Sequence, residues 1–133
     1  MNMKPIKGVV KTHTKGWGEE IWITNNELYC GKILKFNKGA EFSMHYHINK
    51  EETWAVTEGK LLLEYYDLTN AEEKQMTLEV GDTIHLKPCI PHKLIAIDYA
   101  QKLQSLFSSR RTRLLLWAWP LTSIEICLLA LMI

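Results

Sequence analysis

Through residues 21–97, apolar and β-branched positions alternate with polar ones at a period of two, the spacing of strands that bury one face. The signal recurs over 21–23, 28–36, 41–47, 53–57, 60–66, 74–80 and 93–97. Asn25-Asn26, Asn37-Lys38-Gly39, Glu58-Gly59, Leu68-Thr69-Asn70 and Gly81-Asp82 separate these runs as turns. Within 83–86, Ile84 and Leu86 share one face and predict inward positions, while Thr83 and His85 take the other. Consecutive short strands with no helical period between them predict an all-β chain, an antiparallel barrel or jelly roll.

Beyond Asp98 the pattern changes. Tyr99, Leu103, Leu106 and Phe107 recur at helical spacing, which predicts an amphipathic helix to about Arg111. An apolar run from Leu114 to Trp119 meets Pro120, and Thr122-x-x-Glu125 reads as a capping box for a last apolar helix to Ile133. Composition breaks at the same place: residues 1–98 hold twelve Lys, no Arg and fourteen acids, whereas 99–133 hold one Lys, three Arg and the single acid Glu125. The expected organisation is a β-barrel domain over 1–98 and an atypical helical tail over 99–133. Three origins fit the tail: a helical cover or subunit joint, a membrane anchor over 114–133, or translation out of the ancestral frame. Pro120 and Glu125 oppose the anchor, because an acidic side chain in lipid costs roughly 2 to 3 kcal/mol or more.

Chemistry concentrates at His45, His47, Glu52 and His92. On a strand His45 and His47 project from one face, and a returning strand places Glu52, Trp54 and Val56 together. Imidazole nitrogens and one carboxylate suit a first-row divalent ion with positions left for water or substrate. The 133 residues fit one domain, and the 47% hydrophobic and 23% charged content is that of a globular chain. A net charge of +1 with no basic stripe in the body excludes a nucleic-acid footprint. Cys30, Cys89 and Cys127 are odd in number and widely spaced, and the N-terminus lacks an apolar leader stretch, so a cytoplasmic chain is expected.

The spacing of these residues resembles the cupin family. Gly39, five residues, His45-x-His47, four residues, Glu52, six residues and Gly59 are similar to the first cupin motif, and Gly81 followed eleven positions later by His92 to the second. Glu51 also falls within the permitted gap, but Glu52 keeps the spacing to Gly59. The second motif departs from the family pattern at Lys87 in place of Pro, Cys89 in place of the turn Gly, and Ala96 in place of Asn. Gly16-Trp17-Gly18, the stretch 52–59 and Pro91-His92-Lys93-Leu94 resemble the C-terminal cupin domain of type II mannose-6-phosphate isomerases, with Gly16 for Pro and Lys93 for Arg.

That likeness implies a sugar or sugar-phosphate isomerase or epimerase holding one divalent metal at His45, His47, Glu52 and His92. Zinc leads the candidates, with iron, manganese, cobalt and nickel as alternatives. It also implies a small-molecule substrate and a possible homodimer. Glu41 is the candidate base, provided the strand from Gly39 to His47 is unbroken. Lys93 is the candidate phosphate contact, though it lacks the bidentate fork of Arg. Trp54 is read as either substrate wall or core. A non-catalytic small-molecule binder and an iron-dependent oxygenase remain as rival classes. Because all four ligands lie upstream of Tyr99, the tail is expected to be dispensable for metal binding.

Overall fold

A computed structural model describes residues 3–108, with side chains as far as Gln104. Nine strands follow in order: β1 (Lys11–Lys15), β2 (Gly18–Asn25), β3 (Tyr29–Phe36), β4 (Lys50–Glu58), β5 (Lys60–Asp67), β6 (Glu72–Glu79), β7 (Thr83–Leu86), β8 (His92–Ala96) and β9 (Ala100–Ser108). Every pairing is antiparallel, in a six-stranded sheet ordered β1-β2-β3-β9-β4-β7 and a three-stranded sheet ordered β6-β5-β8. The all-β expectation therefore holds over the described residues, among which there is no helix.

Alternation builds the core between the sheets. Leu34 and Phe36 from β3, Trp54 and Val56 from β4, Leu61 and Leu63 from β5, and Leu94 and Ala96 from β8 all point inward and are buried. Fully burying a side chain such as Phe36, Leu61 or Leu94 contributes roughly 1.5 to 3 kcal/mol. Ile84 and Leu86 face inward on β7 as expected, while Thr83 and His85 are exposed. At the β4–β5 turn Gly59 adopts φ 72°, and a β-carbon there would lie 1.9 Å from the Tyr99 carbonyl oxygen. Only glycine lets the start of β9 pass this close.

Two expectations are corrected. The helix from Tyr99 to about Arg111 is replaced over Ala100–Ser108 by β9, which fills the middle of the larger sheet. It pairs from Phe36↔Ala100 to Tyr29↔Phe107 with β3, and from Glu58↔Gln101 to Lys50↔Ser108 with β4. The helical reading failed because the inward positions of β9 are Ala100, Lys102 and Gln104, whereas Leu103 faces out at 42% exposure. A boundary at residue 98 would thus fall before a central strand. The tail readings for 109–133, including the membrane anchor and the capped last helix, lie outside the described residues, and no helix among the described residues is long and apolar enough to cross a membrane.

The expected strand over 41–47 is likewise two isolated bridges along the free edge of β8, Glu41↔Ile95 and His45↔His92. Glu41 and His45 are four positions apart, but His92 and Ile95 are three apart. The extra residue breaks the period of two.

Removing β9 leaves β3 and β4 without their shared partner. A chain ending at Asp98 is expected to lose its cooperative thermal transition, while one ending at Ser108 retains it. Circular dichroism melts of the two truncations check this, and matching cooperative transitions would contradict the central role of β9.

Candidate metal centre

Inward alternation on β4 and β8, together with the bridged segment before β4, delivers the site residues. His92 N–H donates to the His45 carbonyl at 2.8 Å and His45 N–H returns a bond to His92 at 3.0 Å, so the two histidines are locked side by side. The His47 carbonyl is held by the Cys89 N–H. Cys89 occupies the turn with φ 68°, a left-handed conformation that costs a non-glycine residue roughly 1 kcal/mol or more. Its side chain is exposed and its backbone serves the site.

The candidate nitrogens of His45, His47 and His92 lie within 4.8 Å of one another. His45 Nδ1 donates to the Ser43 carbonyl and His92 Nδ1 to the Ile90 carbonyl, each at 2.9 Å. Since a carbonyl only accepts, Nδ1 carries the proton in both rings and leaves the Nε2 lone pair for the centre. His92 Nε2 is buried and has no hydrogen-bond partner. An orphaned buried acceptor is costly, and a cation at this point would satisfy it. The donor set therefore fits a divalent ion.

Glu52 is 2% exposed and fully engaged. Its Oε1 lies 2.8 Å from His47 Nε2 and accepts from Gln104 Nε2 at 3.0 Å, and its Oε2 accepts from Trp54 Nε1 at 2.9 Å. Its Oε2 stands 3.6 Å from His92 Nε2. Burial opposes ionisation of Glu52, but the His47 bond and the Lys102 charge outweigh it and hold the carboxyl at about 2. Burial pushes His92 down to about 4, against the Ile90 bond and the Glu52 charge, and lowers His45 in the same direction. Both rings are consequently neutral at neutral pH, the form that ligates metals.

A cavity of about 230 Å³ opens beside the cluster. Besides the histidines and Glu52, its lining includes Glu20, Lys32, Lys50, Lys102, Gln104 and Phe42. Glu20 accepts from Trp22 Nε1 at 2.8 Å and from Lys32 Nζ at 3.3 Å. Burial resists its ionisation, yet the Trp22 bond and the Lys32 charge keep its carboxyl below the usual range. Lys102 is 1% exposed and sits over the Trp54 ring at 3.3 Å from the centroid. Burial lowers it to about 7, opposed by the charge of Glu52.

The other residues singled out from the sequence stand elsewhere. Glu41 and Lys93 pair with each other at 3.1 Å, and Lys93 also reaches Glu64 at 3.5 Å. Neither lines the cavity. Trp54 is 1% exposed, its ring edge-on to His92 at 5.4 Å, and acts as core beneath the centre. Sequence reasoning missed Glu20, Lys32, Lys102 and Gln104. Glu20 and Trp22 share a strand face, which was the available signal for the first. Lys102 and Gln104 were hidden by the helical reading.

A jelly-roll-like pair of antiparallel sheets enclosing a histidine cluster defines a class of small β-barrel proteins with a divalent-metal-type pocket. The chain belongs to the cupin domain family, whose sequence profile matches residues 32–101. No curated protein sequence matches it. Among solved structures, it is similar to a variant of the oxalate decarboxylase of Bacillus subtilis at 17% identity and TM-score 0.67, covering 74% of this chain and 27% of that one. Peruvianin-I from Thevetia peruviana latex matches at 18% identity and TM-score 0.62, over 72% of this chain and 65% of that one. A conserved protein of unknown function from Streptococcus pyogenes matches at 16% and 0.60, over 68% and 74%. At these identities the likeness concerns the fold, and the chain spans little more than a quarter of the oxalate decarboxylase.

The shifts of His92 and Glu52 set an acid response for the metal-free chain. Both folded values lie below the unfolded ones, 6.5 and 4.5, so the folded state binds fewer protons and loses stability as pH falls. The His92 contribution is whole above about pH 6.5 and is lost towards 4, and that of Glu52 is whole above 4.5 and is lost towards 2. Urea midpoints of the metal-free chain are expected to decline between pH 6.5 and 4, with a flatter decline in His92→Gln. Equal slopes in the two proteins would remove His92 as the cause.

Proposed function

We propose that the chain binds one divalent metal through His45, His47 and His92, with Glu52 as the fourth ligand, and uses it on a small oxygen-rich substrate. The observation that carries this reading is the buried, unpartnered Nε2 of His92 among three clustered histidines beside an open cavity. Zinc, iron, manganese, cobalt and nickel all accept such a donor set. When bound, the ion would supply Lewis-acid polarisation of a substrate oxygen.

The finer reading is proton transfer between adjacent carbons of a sugar-like substrate, as the likeness to mannose-6-phosphate isomerases implies. It draws on Glu20, a cavity-lining carboxylate held ionised by Trp22 and Lys32, as the group that takes and returns the proton. Glu41 bonds to Lys93 away from the cavity and is displaced as the base. Lys93 sits with it, so phosphate recognition loses its anchor. Glu52 has its oxygens committed to His47, Gln104 and Trp54, which opposes a mobile base, and it would serve as a ligand once an ion replaced its His47 bond.

Protein purified without added metal is expected to carry about one divalent ion per chain by elemental analysis, with occupancy reduced about tenfold or more in His47→Ala and His92→Ala. Unchanged metal content in both variants would defeat the site.

Turnover in deuterated water should place deuterium on the product carbon that receives the proton, and Glu20→Gln should lower the rate by about 10² or more. Oxygen consumption tracking turnover, with no deuterium incorporated, would replace proton transfer by oxygenase chemistry.

A further inference from the structure

Lys102 presents a problem that the histidine cluster does not solve. Removing an ammonium group from water costs several kcal/mol unless a counter-charge and hydrogen bonds meet it. Lys102 is 1% exposed, yet its direct contacts among the described residues are the faces of Trp54, at 3.3 Å, and Phe42, at 5.8 Å. A cation over an aromatic face recovers only about 0.5 to 2 kcal/mol.

The nearby carboxylates are occupied. Glu52 spends Oε1 on His47 and Gln104 and Oε2 on Trp54, and Glu20 is paired with Lys32. Lys102 nonetheless lines the same cavity as the histidines. That cavity sets three amines, Lys32, Lys50 and Lys102, against the two carboxylates Glu20 and Glu52, and an anion beside Lys102 would favour its ammonium form. A divalent ion at the cluster would add positive charge to the same wall.

We infer that the cavity takes a small carboxylate-bearing ligand, its carboxylate seated between the histidine cluster and Lys102. The position of the ligand rests on the metal-site reading, whereas the need for an anion rests on Lys102 itself. A monoanionic carboxylate matches the Lys102 amine, whose contacts among the described residues are the two aromatic faces. Phosphate dianion asks for more charged donors than Lys102 and Lys50 supply, because Lys32 is already bound to Glu20 and Lys93 lies outside the cavity. For the proton-transfer reaction this makes a sugar acid, or another hydroxy or keto acid, the substrate class in place of a sugar phosphate.

The test uses the full chain, zinc-loaded and metal-free, with acetate, its uncharged isostere acetamide, and inorganic phosphate as probes. Saturation-transfer NMR on the methyl resonances gives the dissociation constants of acetate and acetamide, and displacement of acetate gives that of phosphate. Acetate is expected to bind at least about tenfold tighter than acetamide and tighter than phosphate. Lys102→Met should weaken acetate about tenfold or more with its zinc content unchanged, and Lys102→Arg should restore binding to within about threefold. Equal binding of acetate and acetamide, tighter binding of phosphate, or unchanged acetate affinity in Lys102→Met would each overturn the proposal. If Lys102→Met does not fold, the acetate and acetamide comparison in the wild-type chain decides. Failure to load zinc would sink the metal reading alone, since the metal-free titration reads the Lys102 dependence without it.

Discussion

The buried carboxylate of Glu52 is the constraint around which this pocket is organised. A carboxylate at 2% exposure survives ionised only where donors surround it, and here they come from three places: His47 before β4, Trp54 on β4 and Gln104 on β9. Depriving such a group of a charged or hydrogen-bonded partner costs roughly 3 to 5 kcal/mol. The same atoms thus fix the His47 ring, anchor the Trp54 indole against the core and join β4 to β9. Packing and chemistry are not separable at this point. A substitution at Glu52 would disturb the sheet as well as the centre.

How much of this was legible in the sequence follows from which faces obey the hydrophobic rule. β3, β5 and β8 bury apolar residues, and their alternation announced them. The first histidine pair, Glu52 and His92 were found because they sit at fixed distances from turn glycines. Gly59 shows the physical basis of one of those distances, since a β-carbon there would strike the Tyr99 carbonyl. β9 disobeys the rule. Its inward face carries Lys102 and Gln104 because it lines a polar cavity, and its Leu103 points outward. A pattern that equates inward with apolar must misread a strand whose inner face lines a polar cavity.

Glu41 illustrates a second limit. Its parity with His45 is correct by counting, yet the bridges to β8 contain one more residue on the 41–45 side than on the 92–95 side. That residue flips the alternation, so Glu41 meets Lys93 while Phe42 turns in against His45, at 4.9 Å between ring centroids. Nothing local in Glu-Phe-Ser-Met-His marks the irregularity. It arises from the pairing of distant segments, and only the fold reveals it. Cys89 is the converse case, in which the turn conformation persists although the residue that would adopt it freely is absent.

The centre also spans the interior between the two sheets. His92 belongs to β8 in the smaller sheet, whereas Glu52 and its partner Gln104 stand on β4 and β9 in the larger one. His45 and His47 come from the segment along the free edge of β8. An ion shared by these residues would cross-link both layers and the connecting segment at once, and the unfolded chain offers no such preformed site. Binding energy at the centre therefore adds to folding energy by mass action. In a domain of this size, whose inner surface gives up apolar contacts to Lys102, Gln104, Glu52 and three histidines, that contribution offsets part of what the polar cavity costs the core. The polar residues that line the pocket are the ones whose burial a bound ion would offset.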